Sequence, residues 1–263
     1  WKGGIDPAMS RAKGSKEIIA AKNATEDLNS YGEGFAQIHT NNGDFLHNLD
    51  FCGAGISIAV IDGGFANVDM LNFFDPTRIK EVKNFNHETS DLFNDGADHG
   101  TKVLSCLLAN RSGELVGTAP QADYYLFRSE VMDDEFPVEE DYWIAALEYA
   151  DSIGVDIVTT SLGYATFDDP AMSHTHSQLD GQTIPASRAA SLASSKGLLL
   201  LNSAGNEGNK SWEKIMVPSD ADHILTVGSV TKEGDVSPFS SKGNSADGRI
   251  KPDVMAMGSE VRV

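Results

Sequence analysis

Three short stretches of this sequence carry side chains able to do proton chemistry. Asp62 closes the apolar run Ile56–Ile61 and is followed by Gly63 and Gly64. His99 stands in His99-Gly100-Thr101, and Asn206 in Ala204-Gly205-Asn206-Glu207-Gly208. A carboxylate, an imidazole that titrates near neutral pH and a carboxamide can between them hold, move and stabilise charge. Each stretch alone also has a plain structural reading. Asp62 reads as a strand-capping aspartate, His99-Gly100-Thr101 as a turn and helix cap, and Asn206 as the corner of a tight turn, where Asn tolerates unusual backbone angles.

The elements around them sharpen the choice. Ile56–Gly64 has no polar alternation, which suits a strand buried on both faces of a parallel sheet. Asp62 then falls at the carboxyl end of that strand, where open α/β sheets place their chemistry. Val103, Leu104, Leu107 and Leu108 have helical spacing, so Asp98–Asn110 is expected to be a helix with His99 at its start. Further strands are expected at Ala122–Arg128, Asp156–Gly163, Leu198–Asn202, Ile224–Val230 and from Val254 to Ala256. Leu198–Asn202, an uninterrupted apolar run, is expected to be central. Helices are expected at Val138–Ile153, stopped by Gly154, and at Pro185–Lys196, ended by Gly197. Two short helices are expected around Asn41–Asp44, and Phe65–Asp98 reads as loop. Strands alternating with helices imply an α/β fold: three layers, a mostly parallel central sheet, helices on both faces.

Composition narrows the function classes. The chain has 263 residues, 40% of them hydrophobic, and a formal net charge of -19. That excess of acid argues against nucleic acid as a partner, because phosphate binding needs a basic face. No apolar run approaches the roughly 20 residues of a membrane span. Cys52 and Cys106 make no disulfide framework, and Cys106 reads as a small core residue. His174 and His176 suggest a metal pair, but no cysteine or third histidine nearby supports zinc, and no metal ligands are assigned. The acidic runs Asp133–Glu135 and Glu139–Asp141 lack the ligand spacing of a calcium loop and read as solvated surface.

Taken together and in this order, the three stretches resemble the subtilisin-like serine proteases, the subtilases. Ser161-Leu162-Gly163 is similar to the family's substrate-binding strand, and Gly117-Thr118-Ala119-Pro120 to the junction after its histidine helix. Lys251–Gly258, KPDVMAMG, is similar to its PDVMAPG segment, with Met257 where proline is usual. The resemblance covers Tyr31 to Val263. It implies a serine endopeptidase in which His99 is general base and acid, Asp62 orients its ring, and Asn206 donates to the oxyanion. Ser161, Leu162 and Gly163 would pair with an extended peptide, and Ala204 and Gly205 would wall the pocket for the residue before the cut. The implied partners are a peptide or protein substrate and the chain's own propeptide. Residues 1–30 read as a surface arm joining that propeptide to a peptidase domain at 31–263. No cofactor is required; the resemblance allows structural calcium, with no ligands assignable here. It also implies a secreted or cell-surface location.

The family's nucleophile lies in a Gly-Thr-Ser motif after the PDVMAPG segment, and this sequence has no such triplet. Both ends of the chain look like cuts. The expectation is a catalytic domain truncated before its serine, incomplete at its C-terminus and inactive on its own. The alternative is a non-catalytic relative that binds peptides without cutting them.

Overall fold

A computed structural model describes residues 30–86, 91–132 and 134–263. The expected arm at 1–30 lies outside these residues except for Ser30. Two short helices come first, α1 (Phe35–His39) and α2 (Gly43–His47). Then follow β1 (Ser57–Asp62), β2 (Ile79–Asn84), α3 (His99–Leu108), β3 (Asn110–Arg111), β4 (Leu115–Val116) and β5 (Asp123–Arg128). The chain continues through α4 (Val138–Ile153), β6 (Ile157–Thr160), α5 (Pro185–Ser195), β7 (Leu199–Ser203), β8 (Leu225–Val230) and β9 (Val254–Met257).

Seven strands form one sheet in the order β2-β5-β1-β6-β7-β8-β9, every pairing parallel. β3 and β4 pair antiparallel in a separate ribbon. Strands buried on both faces need helices on both sides. Leu104 and Leu108 of α3 pack against Ile58, Val60, Tyr124 and Leu126 on one face. Trp143, Leu147 and Ala150 of α4, with Ala186 and Ala190 of α5, pack against Ala59, Ile61, Phe127, Val158 and Leu200 on the other. The fold is therefore the three-layer, mostly parallel α/β architecture that strand–helix alternation implies.

Several local expectations need correction. Ile79–Asn84 is a strand, not loop. It lies at the sheet edge, so its charged Lys80, Glu81 and Lys83 are tolerated and the apolar run that betrays a central strand is absent. The strand expected at Asp156–Gly163 ends at Thr160, leaving Ser161–Gly163 as an extension beyond the ladder. β7 is interior but not buried on both faces: Leu200 is fully buried while Leu199 is 48% exposed. Cys106 is half-buried on α3 rather than in the core. The run Glu139–Asp141 is not solvated throughout, since Glu139 and Glu140 are both buried.

Candidate active site

Asp62 is the last residue of β1 and is fully buried. His99 is the first residue of α3. The two meet at 2.6 Å between His99 Nδ1 and Asp62 Oδ1, with the imidazole side chain 59% exposed. An ionised carboxylate can only accept, so Nδ1 carries the proton and Nε2 is left as the acceptor of the neutral ring. This bond holds the His99 pKa above its ordinary value, against the opposing pull of burial. Asp62 Oδ1 also accepts from the Gly63 amide at 2.7 Å. Asp62 Oδ2 is buried with no hydrogen-bond partner among the described residues.

Local sequence explains the approach of helix to strand. A side chain at Gly100 would meet the Gly64 carbonyl at 2.5 Å, the Phe65 ring at 2.7 Å and Asp62 Cβ at 3.0 Å. Only glycine lets the helix start sit this close to the strand end. Thr101 Oγ1 donates to the Ala66 carbonyl at 2.7 Å, and the Ala66 amide donates to the Ala97 carbonyl at 2.8 Å. Arg128, at the end of β5 and fully buried, pairs with Asp95 in the loop that leads to His99. His99 is thus placed by three separate ties.

The second group gathers across β6 and β7. Asn206, exposed just beyond β7, lines a cleft of about 290 Å³ with Ser161, Asn202, Gly205 and Gly258. Gly163 and Gly205 both pack on Met216: an added side chain would meet it at 2.8 Å and 2.7 Å. Gly205 also has φ +104, a conformation that favours glycine. The Met216 amide donates to the Ala204 carbonyl at 3.1 Å, and Tyr164 and Val217 exchange backbone bonds at 2.9 and 3.0 Å. The segment Met216-Val217 therefore joins the Ser161–Gly163 extension to the loop bearing Asn206. Asn202, buried, donates Nδ2 to the Leu162 carbonyl at 3.3 Å. Ala204 is not on the cleft surface: it is 1% exposed and its methyl faces the core. Among the described residues no strand pairing or bridge occupies Ser161–Gly163; the nearest, Tyr164 with Val217, lies one residue on.

The structure thus brings Asp62 and His99 into contact and places Ser161, Gly205 and Asn206 around one cleft. No hydrogen bond joins His99 to Asn206 among the described residues. A larger cavity, about 890 Å³, lies beside α3 among Met70, Leu71, Phe74, Thr101 and Lys102. It contains none of the candidate residues, and chemistry rather than size selects the site. Sequence reading missed Asn202, Tyr164, Met216 and Glu130; their links are to residues distant in the chain, and no local motif marks them. Glu207 forms an ion pair with Lys210 at 2.8 Å. The histidines considered as a metal pair have other partners: His174 Nε2 meets Glu140 Oε1 at 2.6 Å, and His176 Nε2 donates to the Trp212 carbonyl at 2.9 Å. Among the described residues no three His, Cys, Asp or Glu side chains come together as a metal ion would need, so calcium enters no step below.

Comparison with known proteins matches residues 53–262 to the model of the subtilase family, peptidase S8. Subtilisin-like protease SBT6.1 of Arabidopsis thaliana is 26% identical over 224 residues, covering 83% of this chain and 19% of the relative. Subtilisin E of Bacillus subtilis is 27% identical over 220 residues, covering 82% of this chain and 50% of the relative. The chain therefore spans between a fifth and a half of the length of these two relatives. The solved structure of MycP1 with its N-terminal propeptide removed superposes with a TM-score of 0.62 at 19% identity, covering 85% of this chain and 69% of that one. That likeness concerns the fold, and the family match covers most of the sequence: the chain belongs to the subtilase family.

Proposed function

We propose that this chain supplies the acid–base pair, the oxyanion donor and part of the substrate cleft of a serine endopeptidase. The observation that carries the reading is the 2.6 Å contact between His99 Nδ1 and the buried Asp62 carboxylate. His99 Nε2 takes the proton of an attacking hydroxyl and returns it to the leaving amine. Asp62 fixes the tautomer and stabilises the imidazolium. The Asn206 amide donates to the tetrahedral oxyanion, whose charge exists only in the transition state. An extended peptide adds as a strand along Ser161–Gly163. The substrate class is a peptide or protein, as family membership supports.

The nucleophile is not assigned to any residue of this chain. The sequence has no Gly-Thr-Ser, and among the described residues no hydroxyl or thiol hydrogen-bonds to His99. The 263 residues alone are accordingly proposed to leave peptides uncut. The test compares this polypeptide with a fusion to a relative's Gly-Thr-Ser segment, both assayed for peptide cleavage and for labelling by a serine-directed phosphonate. The expected result is cleavage by the folded fusion only, abolished by His99→Ala. Cleavage by the 263-residue chain that depends on His99 would show that a nucleophile lies within it. Cleavage by the fusion that survives His99→Ala would remove the acid–base assignment.

A further inference from the structure

The carboxyl ends of four neighbouring strands lie side by side in the order β5, β1, β6, β7. β1 delivers Asp62 and Gly63, β6 runs into Ser161–Gly163, and β7 into Gly205 and Asn206. β5 runs into Ser129 and Glu130, to which the reading above gives no task. A methyl group built at Gly63 would lie 3.8 Å from Glu130 Cβ and Cγ, so the Glu130 stem rests against the residue next to Asp62. Glu130 Oε1 accepts from Tyr164 OH and from Ser129 Oγ, each at 2.7 Å. Tyr164 directly follows Gly163. The carboxylate therefore sits between the acid–base pair and the peptide-binding extension.

Three observations separate Glu130 from an ordinary structural acid. Although its carboxyl is largely desolvated, Glu130 as a residue is not fully buried. Its Oε2 accepts no hydrogen bond among the described residues. No cationic side chain pairs with it among those residues; Arg128 is paired with Asp95 and gives Nε to the Glu130 backbone carbonyl at 3.1 Å. Glu139 behaves differently: it is 1% exposed, and both its oxygens accept backbone amides, from Val131 at 2.8 Å and Phe136 at 3.1 Å.

We propose that Glu130 recognises a lysine or arginine side chain at the second position before the scissile bond of a bound peptide. This rests on the peptide-cleft reading and assigns its specificity. Side chains of an extended chain alternate in direction. With the residue before the cut turned toward the Gly205 wall on the β7 side, the preceding one turns toward β1 and β5, where Glu130 lies. A guanidinium or ammonium there makes a charge-assisted bond with the open Oε2. The surrounding field favours a cation. Burial pushes the Glu130 carboxyl up to about 8, with Glu139 and Glu135 acting in the same direction and the Tyr164 and Ser129 bonds opposing. Tyr164 is itself held above its ordinary range by burial and by Glu130. Without a ligand Glu130 is thus mostly protonated at pH 7, and a bound cation expels that proton.

The test measures binding of two extended peptides to the 263-residue protein by calorimetry at pH 7, in buffers of different ionisation enthalpy. The peptides differ only in arginine or norleucine at the second position before the scissile bond. Arginine is expected to bind roughly ten- to a hundredfold more tightly, the scale of a hydrogen bond to a charged group. It should release close to one proton, and norleucine close to none. Glu130→Gln should level the two affinities, and Glu135→Gln, at an exposed carboxylate nearby, should keep them apart. Binding of both peptides with equal affinity would overturn the assignment and leave the cleft standing. Discrimination that persists in Glu130→Gln would remove Glu130 from it. Binding of neither peptide would overturn the cleft reading, and this inference with it. Should Glu130→Gln fail to fold, Glu130→Asp takes its place: a preference for arginine left unchanged when the carboxylate is withdrawn by one methylene overturns the proposal.

Discussion

The two halves of the central sheet are built from the same kind of strand but are covered differently. In β5 and β1 the sheet has a helix layer on each face, and Val60, Ile61, Leu126 and Phe127 are all fully buried, while the edge strand β2 is only partly buried. In β6 and β7 the α4–α5 face is equally closed, with Val158 and Leu200 fully buried. The opposite face is not. Register places Val60 beside Thr159, Thr159 beside Leu201, and Leu201 beside Leu225. Along that row burial falls from complete at Val60 to partial at Thr159, Leu201 and Leu225. Leu199 is 48% exposed and Val254 41%. Asp62 and His99, the proposed acid–base pair, come from the doubly covered half, and Asn206 with the Ser161–Gly163 extension from the singly covered half. A proton relay needs a dry, fixed carboxylate; a peptide cleft needs an open edge. The candidate site lies on the seam between these two environments.

The largest effect expected from this contrast is in the closed half. Leu126→Ala removes a fully buried side chain that packs in the same cluster as Leu104 and Leu108. It should cost about 2–5 kcal/mol, read as a lowered urea midpoint at constant slope. A cost below about 1 kcal/mol would mean that the first half is no tighter than the second.

How much of this was legible in the sequence follows the same divide. β1 was readable because burial on both faces leaves an unbroken apolar run. α4 was readable to both ends, since Gly154 takes a left-handed conformation that stops it. The Asp62 and His99 positions were legible because each lies at the end of a strongly patterned element. β2 was not: an edge strand bears charge and carries no continuous apolar signal. Leu198–Leu201 was readable as an interior strand, but an apolar run does not say which face is covered. Glu139 and Glu140 read as solvated because their partners lie elsewhere. Glu139 meets the amides of Val131 and Phe136, and Glu140 meets His174, 34 residues away. The Glu140 partner is distant in the chain, and those of Glu139 are backbone amides, which no side-chain pattern marks.

The next prediction tests the polar border between the halves. Glu139→Gln presents an NH₂ group to one of two amides that now donate to carboxylate oxygens. Leaving a buried donor unpaired costs about 1–3 kcal/mol. Thermal or urea unfolding at pH 7 measures it, and a change under 0.5 kcal/mol would show that water serves these amides instead.

A pH series sharpens the same border with a smaller effect. Burial raises Glu130 from 4.5 to about 8 and Glu139 from 4.5 to about 7. A folded carboxyl with a raised pKa binds more protons than its unfolded counterpart between those two values. Stability from this source is full below 4.5 and declines as pH rises toward 8. His99 acts with the same sign: its pKa is raised by Asp62, so its contribution is full below 6.5 and lost as pH passes the folded value. Carboxyls with lowered values, such as Asp247 at about 2, titrate below this window. Urea midpoints should therefore fall from pH 5 to pH 8, and the slope should be shallower in Glu130→Gln. A rise over that range would contradict the protonated state assigned to Glu130.

The smallest effect is expected at Leu199, and it bears most directly on the comparison. Leu199 occupies β7 beside Ile157 of β6 and points to the face that α3 covers farther along the sheet. Ile157 still packs with that cluster, whereas Leu199 is left 48% exposed. A half-exposed leucine has already kept much of its contact with water, so truncation removes little burial and opens no cavity. Leu199→Ser should change unfolding free energy by no more than about 0.5 kcal/mol, the range of surface substitutions. Its visible consequence should be on association, because Leu199, Leu201 and Val254 form part of one apolar strip and serine interrupts it. Light scattering of the serine variant should be lower than that of the unaltered protein at equal concentration. A loss of 2 kcal/mol or more would mean that Leu199 is covered in solution by another part of the chain or by a second copy. Repeating the unfolding at several protein concentrations separates these outcomes, since only a cover supplied by a second copy makes the midpoint depend on concentration.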